Sequence, residues 1–328
     1  MNVRRRHISG IAVTAATALG LGTLSACSSD SAAAGNTDKF DVVASFYPMQ
    51  YLAQQIGGEH VNVTTLTEPG QEPHDLELSA KQTAEMGEAD AVLHLKSLQP
   101  AVDEAIAQSG VKTKIDAATL TTLEDHGSVE HDHGHGGEEH AEEGHSEEHS
   151  EEEEHALDPH VWLDPVKYAE IAEGVAKAFE KADPDHADDY RKNAEALAKK
   201  LAGLNTAYEK GLKNTDTKVF FTNHAAFGYL AERYGLTQEA INGLDPESEP
   251  SPARIKELQE EAKADGVTTV FYETLVSDKT AKTLAKDAGL KTDVLDPLEG
   301  ITDKSKGDDY LAVMESNLKA LEAALGAK

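Results

Sequence analysis

An acidic, histidine-rich run occupies residues 130–155, which read EHDHGHGGEEHAEEGHSEEHSEEEEH. It holds seven histidines and twelve acidic residues in twenty-six positions, with no lysine, arginine or aromatic residue. Imidazoles and carboxylates at this density bind divalent metal ions. The run cannot bury a core, so we expect a disordered insertion at about residues 124–156. We interpret it as an accessory, low-affinity metal loop, with a solvated spacer as the alternative. This accessory loop includes His126, which precedes the run, and the seven histidines of the run: His131, His133, His135, His140, His145, His149 and His155.

Three histidines outside this loop share a different context. His74 lies in TEPGQEPHDLELSA, between an expected strand and a helix; His160 lies in LDPHVWLDP, before a helix; and His224 lies in FFTNHAAFGYL, directly after an apolar strand. Ligands of open α/β sheets gather outside the carboxyl ends of the strands. His74 and His224 are therefore predicted to face a shared cleft. The other histidines of this part of the chain are interpreted as surface or core residues: His60, His94 and His186.

The segments that would position these histidines alternate between short apolar runs and helical stretches. Strands are predicted at DVVASFY, VNVTTLT, DAVLHL and VKTKIDA, and again at KVFFTN, LTQEAING, TTVFYE and KTDVLD. Strands separated by single helices indicate βαβ units and a parallel sheet. Ser79 is the expected N-cap of one of these helices. The pattern predicts an α/β fold with two lobes.

A long helix is predicted between the two series of strands. Asp183-Pro184 is typical of a helix start. Apolar residues then recur at spacings of three and four, which indicates one buried stripe: Tyr190, Ala194, Leu197, Leu201, Leu204, Tyr208 and Leu212. About thirty helical residues span roughly 45 Å. We therefore expect an N-terminal lobe at residues 40–182, a linking helix at 183–214 and a C-terminal lobe at 215–328.

The first residues read as an export signal. Arg4, Arg5 and Arg6 precede an apolar run, and the following LSAC resembles the lipobox of bacterial lipoproteins. This predicts a signal peptide at residues 1–26, lipidation of Cys27 and a flexible tether at 27–39, with an ordinary secretory signal as the alternative. We thus expect anchoring to the outer face of the cell membrane. Removing residues 1–26 changes the net charge from −30 to −33, which argues against nucleic-acid binding.

Four motifs make a family resemblance specific. EPHDLELSA, DPHVWLDP, TNHAAFGYL and LDPLEG resemble, in order, those of the zinc-binding receptors of bacterial ABC importers, the cluster A-I metal-binding lipoproteins. SFYPMQYLAQQIGG and the acidic histidine-rich insertion extend the resemblance over nearly all of the mature chain. It implies two (β/α)₄ lobes with parallel sheets, a long rigid backbone helix and a metal site in the interlobe cleft. It also implies a monomer that captures Zn²⁺ and delivers it to an ABC transporter permease.

The resemblance carries the ligand roles over to His74, His160 and His224. The fourth ligand it implies is Glu299, in LDPLE, whereas manganese-type relatives use an aspartate after the same strand, which here is Asp296. Glu72, beside the first histidine, is a third and less favoured alternative.

Three neutral imidazoles and one carboxylate suit tetrahedral Zn²⁺, whereas Mn²⁺ prefers more oxygen ligands. A manganese- or iron-type receptor and a zinc-dependent adhesin or storage protein remain alternatives. We expect no catalytic residues and no enzyme, because the sequence contains no HExxH motif and no evident base beside these histidines. With Glu299 in the fourth position, no coordinated water would remain to be activated.

Overall fold

The computed structural model describes residues 39–126 and 157–328. Its first sheet has four parallel strands in the order β2-β1-β3-β4. Val42 of the central strand pairs with Val63 on one side and Ala91 on the other. The elements are β1 (Phe40–Ala44), α1 (Tyr47–Gly57), β2 (Val61–Thr65), α2 (Ala80–Glu88), β3 (Ala91–His94), α3 (Pro100–Gln108) and β4 (Thr113–Asp116).

The second sheet repeats this arrangement in the order β6-β5-β7-β8, again all parallel. Its elements are β5 (Val219–Thr222), α6 (Gly228–Tyr234), β6 (Thr237–Ala240), α7 (Pro252–Ala264), β7 (Thr269–Tyr272), α8 (Lys279–Ala288), β8 (Lys291–Val294) and α9 (Tyr310–Leu325). The predicted α/β fold class is therefore confirmed. The expected N-cap at Ser79 is present as a capping box with Gln82.

Two long helices, α4 (Pro165–Ala182) and α5 (Ala187–Gly211), connect the sheets. The side-chain amide of Asn193 donates to the carbonyl of Ile56 at 3.0 Å, and the hydroxyl of Tyr208 donates to the carbonyl of Met314 at 2.7 Å. Thus α5 is bonded to α1 in one lobe and to α9 in the other. It has 25 residues, and residues Pro184–His186 before it form a separate 3₁₀ turn.

The hydrophobic core is shared between the lobes. One cluster of buried side chains contains residues of β1, α4, α5, β5 and α9, including the predicted stripe of α5. Successive strand residues face opposite sides of a sheet. Accordingly, Val42 and Phe220 belong to this shared cluster, whereas Val43 and Phe221 belong to separate outer clusters. The helices α4 and α5 between the sheets therefore pack against one continuous core that includes side chains of both lobes.

No helix within residues 39–126 and 157–328 is long and apolar enough to cross a membrane. The expected signal peptide at 1–26 and the lipidation site Cys27 lie outside the described residues, as does nearly all of the tether.

Candidate metal centre

Four polar side chains converge between the lobes, and we call them the cleft cluster: His74, His160, His224 and Glu299. His74 follows β2, His224 follows β5 and Glu299 follows β8, so each lies beyond the carboxyl end of a parallel strand. His160 directly precedes a 3₁₀ turn at Val161–Leu163, which leads into α4. The two lobes thus supply the four groups from segments far apart in sequence.

The cleft cluster is centred on one carboxylate oxygen. Oε1 of Glu299 lies 3.3 Å from Nε2 of His74, 3.1 Å from Nε2 of His160 and 3.3 Å from Nε2 of His224. His160, His224 and Glu299 are at most 2 % exposed, whereas the side chain of His74 is 14 % exposed. Three ring nitrogens therefore point at the same oxygen in an almost closed pocket.

Two further carboxylates set the tautomers of the rings. Nδ1 of His160 lies 2.7 Å from Oδ1 of Asp158, and Nδ1 of His224 lies 2.8 Å from Oε1 of Glu273. Because a carboxylate only accepts hydrogen bonds, each Nδ1 carries the proton and donates it. In the neutral rings, each Nε2 is then unprotonated and directs its lone pair at Glu299. Metal-binding histidines are commonly oriented by such a carboxylate on the other ring nitrogen.

Lone pairs of imidazole and carboxylate repel one another unless positive charge lies between them. Four ligands about 2.0–2.1 Å from a tetrahedral Zn²⁺ lie about 3.3 Å from one another. The distances from Glu299 Oε1 to the three nitrogens, 3.1–3.3 Å, are close to that edge length. The cleft cluster thus has the donor set and the spacing that tetrahedral zinc requires.

The pKa shifts show the same preference for positive charge. Burial alone would lower the pKa of His160 and His224, but the neighbouring carboxylates outweigh it and raise the pKa of both rings. Burial alone would raise the pKa of Glu299, yet His224, His160 and His74 hold it well below the usual range. A cation that binds here must therefore compete with protons on the rings.

The two alternative fourth ligands have other roles in the structure. Oδ1 of Asp296 accepts the backbone N–H of Leu298 at 2.9 Å, and this turn places Leu298 at a positive φ of 61°. Such a backbone conformation is strained for leucine and is common at functional sites. Asn317 holds both backbone polar groups of Asp296. Asp296 therefore builds the turn that presents Glu299 and does not join the cluster.

Glu72 shapes the segment that carries the first histidine. Its Oε2 accepts the backbone N–H groups of His74 and Asp75, at 2.9 and 3.3 Å. Burial, followed by the charge of Glu299, raises the pKa of Glu72 to about 8. Glu72 lies outside the group of converging ligand atoms and acts on it through the backbone of His74.

A buried tryptophan joins the ligand segments of the two lobes. Nε1 of Trp162 donates to the carbonyl of Pro297 at 2.8 Å, and the hydroxyl of Tyr310 donates to the carbonyl of Trp162 at 2.6 Å. Trp162 is two residues from His160, and Pro297 is two residues from Glu299. These bonds help to fix the distance between His160 and Glu299.

The expected loop boundary differs from the structure at His126. This residue was predicted to belong to a disordered insertion, but its Nδ1 lies 3.1 Å from Asp158 and its Nε2 lies 2.8 Å from Glu232. Its ring also packs edge-on against Tyr229. Two carboxylates and an aromatic ring therefore hold it in place. The other seven histidines of the predicted accessory loop lie outside the described residues.

Sequence reasoning missed Asp158 and Glu273. Asp158 carries a local signal, because an acid two residues before a ligand histidine can reach its ring. Glu273 follows β7 and lies 49 residues from His224 in sequence. Only its position at the end of a strand, in the same sheet as β5, could have indicated it.

Comparison with known proteins assigns the family. Residues 42–324 match the ZnuA family, described as zinc-uptake complex component A, periplasmic. The chain belongs to the ZnuA family. This confirms the resemblance to the zinc-binding receptors of transport systems.

Two similar proteins are named for zinc binding or zinc uptake. The chain is 39 % identical over 305 residues to the zinc-binding lipoprotein AdcA of Streptococcus pneumoniae. The aligned region covers 91 % of this chain and 58 % of AdcA. The chain therefore spans little more than half the length of that relative. It is 36 % identical over 323 residues to the high-affinity zinc uptake system protein ZnuA of Bacillus subtilis, which covers 97 % of each.

Solved structures of ZnuA-like proteins have the same fold. The Zn(II)-bound ZnuA-like domain of S. pneumoniae AdcA superposes with a TM-score of 0.70 at 35 % identity, covering 88 % of this chain and 99 % of that one. The laminin-binding protein Lmb of Streptococcus agalactiae, described as a bifunctional protein with adhesin and metal transporting activity, superposes with a TM-score of 0.73 at 32 % identity. Its match covers 87 % of this chain and 99 % of that one.

Proposed function

We propose that the protein captures Zn²⁺ outside the cytoplasm with high affinity and delivers it to the permease of an ABC transporter. The observation that carries this proposal is the convergence of three Nε2 atoms on one oxygen of Glu299 at 3.1–3.3 Å. We assign the ligand roles to His74, His160, His224 and Glu299. Family membership supports zinc as the cargo.

The donor set favours zinc over manganese. Three imidazoles and one carboxylate provide a tetrahedral environment rich in nitrogen, whereas Mn²⁺ prefers a larger number of oxygen ligands. Asp296 would add oxygen to the site, but its Oδ1 accepts the backbone N–H of Leu298 and its carboxylate lies outside the group of converging ligand atoms. Cu²⁺ binds such ligands more tightly in the general order of affinities, so selection of zinc in the cell depends on availability as well.

Binding without catalysis is part of the proposal. A catalytic zinc keeps one coordination position open for water or substrate. With Glu299 as the fourth ligand, the tetrahedron has no such position. The protein then binds and releases the ion without a chemical step.

The remaining expectations concern the parts of the chain beyond the described residues. We propose that Cys27 carries a lipid after removal of residues 1–26, that residues 27–39 tether the lobes, and that the histidines of 131–155 collect zinc weakly. Cys27→Ala should release the protein from the membrane fraction. Normal lipid labelling of that variant would contradict the anchoring.

Adhesion is a second candidate function, because the similar protein Lmb is described as having adhesin activity. Immobilised laminin is the direct test. Retention of the zinc-loaded protein by laminin, compared with its retention by albumin, would support this function.

The central proposal is tested by metal analysis and competitive titration of the mature protein with Zn²⁺ and Mn²⁺. We expect one tight zinc ion that manganese displaces only at large excess. We also expect the gene to restore growth under zinc limitation to a strain that lacks only its zinc receptor. Preference for Mn²⁺ at the tight site would overturn the choice of cargo.

A further inference from the structure

A second group of potential metal ligands lies outside the cleft. We call Glu124, His126 and Glu232 the surface cluster; one ligand atom of each lies within 4.8 Å of the others. Nε2 of His126 is 2.8 Å from Oε2 of Glu232 and 3.8 Å from Oε2 of Glu124. Glu232 belongs to α6, whereas the other two residues directly precede residues 127–156. Segments about one hundred residues apart thus meet around one ring nitrogen.

The ring of His126 is oriented as the rings of the cleft cluster are. Its Nδ1 lies 3.1 Å from Oδ2 of Asp158, a carboxylate that is completely buried. Oδ1 of the same carboxylate accepts the Nδ1–H of His160 at 2.7 Å. Asp158 therefore prepares two different imidazoles, each with Nε2 turned away from it. One Nε2 faces Glu299, and the other faces Glu232.

The neighbours of the surface cluster support its geometry. The hydroxyl of Tyr229 accepts the backbone N–H of Glu124 and donates to the carbonyl of Asp158, both at 2.8 Å. The backbone N–H of Asp158 donates to the carbonyl of Glu124 at 2.9 Å. Lys167 pairs with Oε1 of Glu124 at 2.6 Å, which leaves Oε2 directed at His126.

We propose that Glu124, His126 and Glu232 form a second Zn²⁺ site, weaker than the cleft and sharing Asp158 with it as the carboxylate that orients the histidine. Histidine nitrogen and carboxylate oxygen are both zinc ligands, and water would complete the coordination. The site is weaker because it has one imidazole, the side chain of Glu232 is 61 % exposed, and Lys167 competes for Glu124. The choice of Zn²⁺ as the bound ion rests on the proposed function. The geometry of the site is independent of that function.

The surface cluster is close to the acidic run in sequence, because His126 lies four residues before Glu130, the first residue of the run. In the structure, the carboxylate of Asp158 connects His126 of this cluster to His160 of the cleft.

The test is zinc titration, with a competing chromophoric chelator, of the full mature chain in which the seven histidines of 131–155 are replaced by asparagine. We expect two binding events of unequal affinity. His126→Gln and Glu232→Gln should each weaken the second event at least about tenfold and leave the tight event unchanged. His60→Gln is the matched control, because that ring also pairs with one carboxylate, at 3.0 Å from Asp189. Absence of a second event, or its persistence in both variants, would overturn the proposal.

Shared orientation by Asp158 has its own signature. Asp158→Asn should weaken both events by about 10–100-fold, whereas Glu273→Gln should weaken only the tight event by a similar factor. An effect of Asp158→Asn on the tight event alone would contradict the sharing. Thermal melts with chelator check that each variant folds; if Asp158→Asn does not, His126→Gln and Glu232→Gln still decide the existence of the site.

Failure of this inference is distinguishable from failure of the proposed function. His224→Ala should weaken the tight event at least about 100-fold and leave the second event in place. If the tight event survives His224→Ala, the assignment of the cleft is wrong, and the surface cluster is still judged by its own variants.

Discussion

The cleft cluster and the surface cluster use the same chemistry in two different environments. Each presents a histidine Nε2 to a carboxylate while Asp158 holds Nδ1. The cleft adds two more imidazoles and buries three of its four groups, whereas Glu232 of the surface cluster is 61 % exposed. Groups that are already oriented and desolvated need little further ordering when an ion binds. We therefore predict that the number of oriented imidazoles, and not the density of ligands in sequence, determines which site binds zinc more tightly.

The largest expected effect comes from removing one imidazole from the cleft. His160→Ala and His224→Ala should weaken the tight zinc event at least about 100-fold, and His74→Ala should do so to a smaller extent, because its ring is partly exposed. Competitive titration measures all three, with His60→Ala as the control. An unchanged tight constant in any of them would show that the residue is not a ligand and would weaken the contrast between the clusters.

The second effect tests the choice of the fourth ligand. Glu299→Gln should weaken the tight event about 10–100-fold, whereas Asp296→Asn and Glu72→Gln should change it less than about threefold. The reason is that only Glu299 faces the three ring nitrogens, while the other two carboxylates accept backbone N–H groups. A larger loss in Asp296→Asn than in Glu299→Gln would reverse the assignment.

A smaller effect is expected from excising residues 127–155. The chain ends at Glu124 and Asp158 are hydrogen-bonded to each other, so a short Gly-Ser linker can join them and leave His126 in place. The tight constant and the second event should stay within about twofold, because all their proposed ligands are retained, and weaker zinc equivalents should disappear. Titration and metal counting measure this. Loss of the tight event would show that the acidic run is the principal site.

The smallest effect concerns Asp296, a buried carboxylate outside the cleft cluster. Burial, its largest cause, raises the pKa of Asp296 from 3.8 to about 6. A raised pKa means that the protonated form favours folding below about pH 4 and that this stability is lost as the pH rises through 6. Asparagine does not ionise, so the melting temperature of Asp296→Asn relative to the wild type should rise by roughly 5–10 °C between pH 4 and pH 7.5. Melts with chelator at both values measure it, and a pH-independent difference would contradict the shift.

Much of the fold could be predicted because its signals are local and periodic. The stripe from Tyr190 to Leu212 predicted α5, and Ser79 predicted the start of α2, since both patterns depend on residues three or four apart. The three cleft histidines were predictable from the rule for strand ends and from family resemblance. The resemblance also favoured Glu299 over Asp296, which stays a prediction. The turn at Leu298, in which Oδ1 of Asp296 accepts a backbone N–H, could not be predicted from the sequence.

The outer carboxylates and the surface cluster required the tertiary structure. Glu273 meets His224 because β5 and β7 are neighbours in the sheet, although 49 residues separate them. His126 meets Glu232 across 106 residues, and a low-complexity sequence next to it concealed that it is an ordered residue. Composition describes such a segment as a whole and does not show where it begins.

The uneven burial of the cleft cluster bears on the kinetics of ion binding. His160, His224 and Glu299 are enclosed, and His74 alone keeps solvent-exposed surface. With the ligand roles proposed above, a hydrated ion that approaches from the solvent side would meet His74 first and exchange its waters for the other three groups afterwards. Departure would follow the reverse order, with His74 releasing the ion last. Movement of the segment between Glu72 and Asp75 would then control the rates of entry and release.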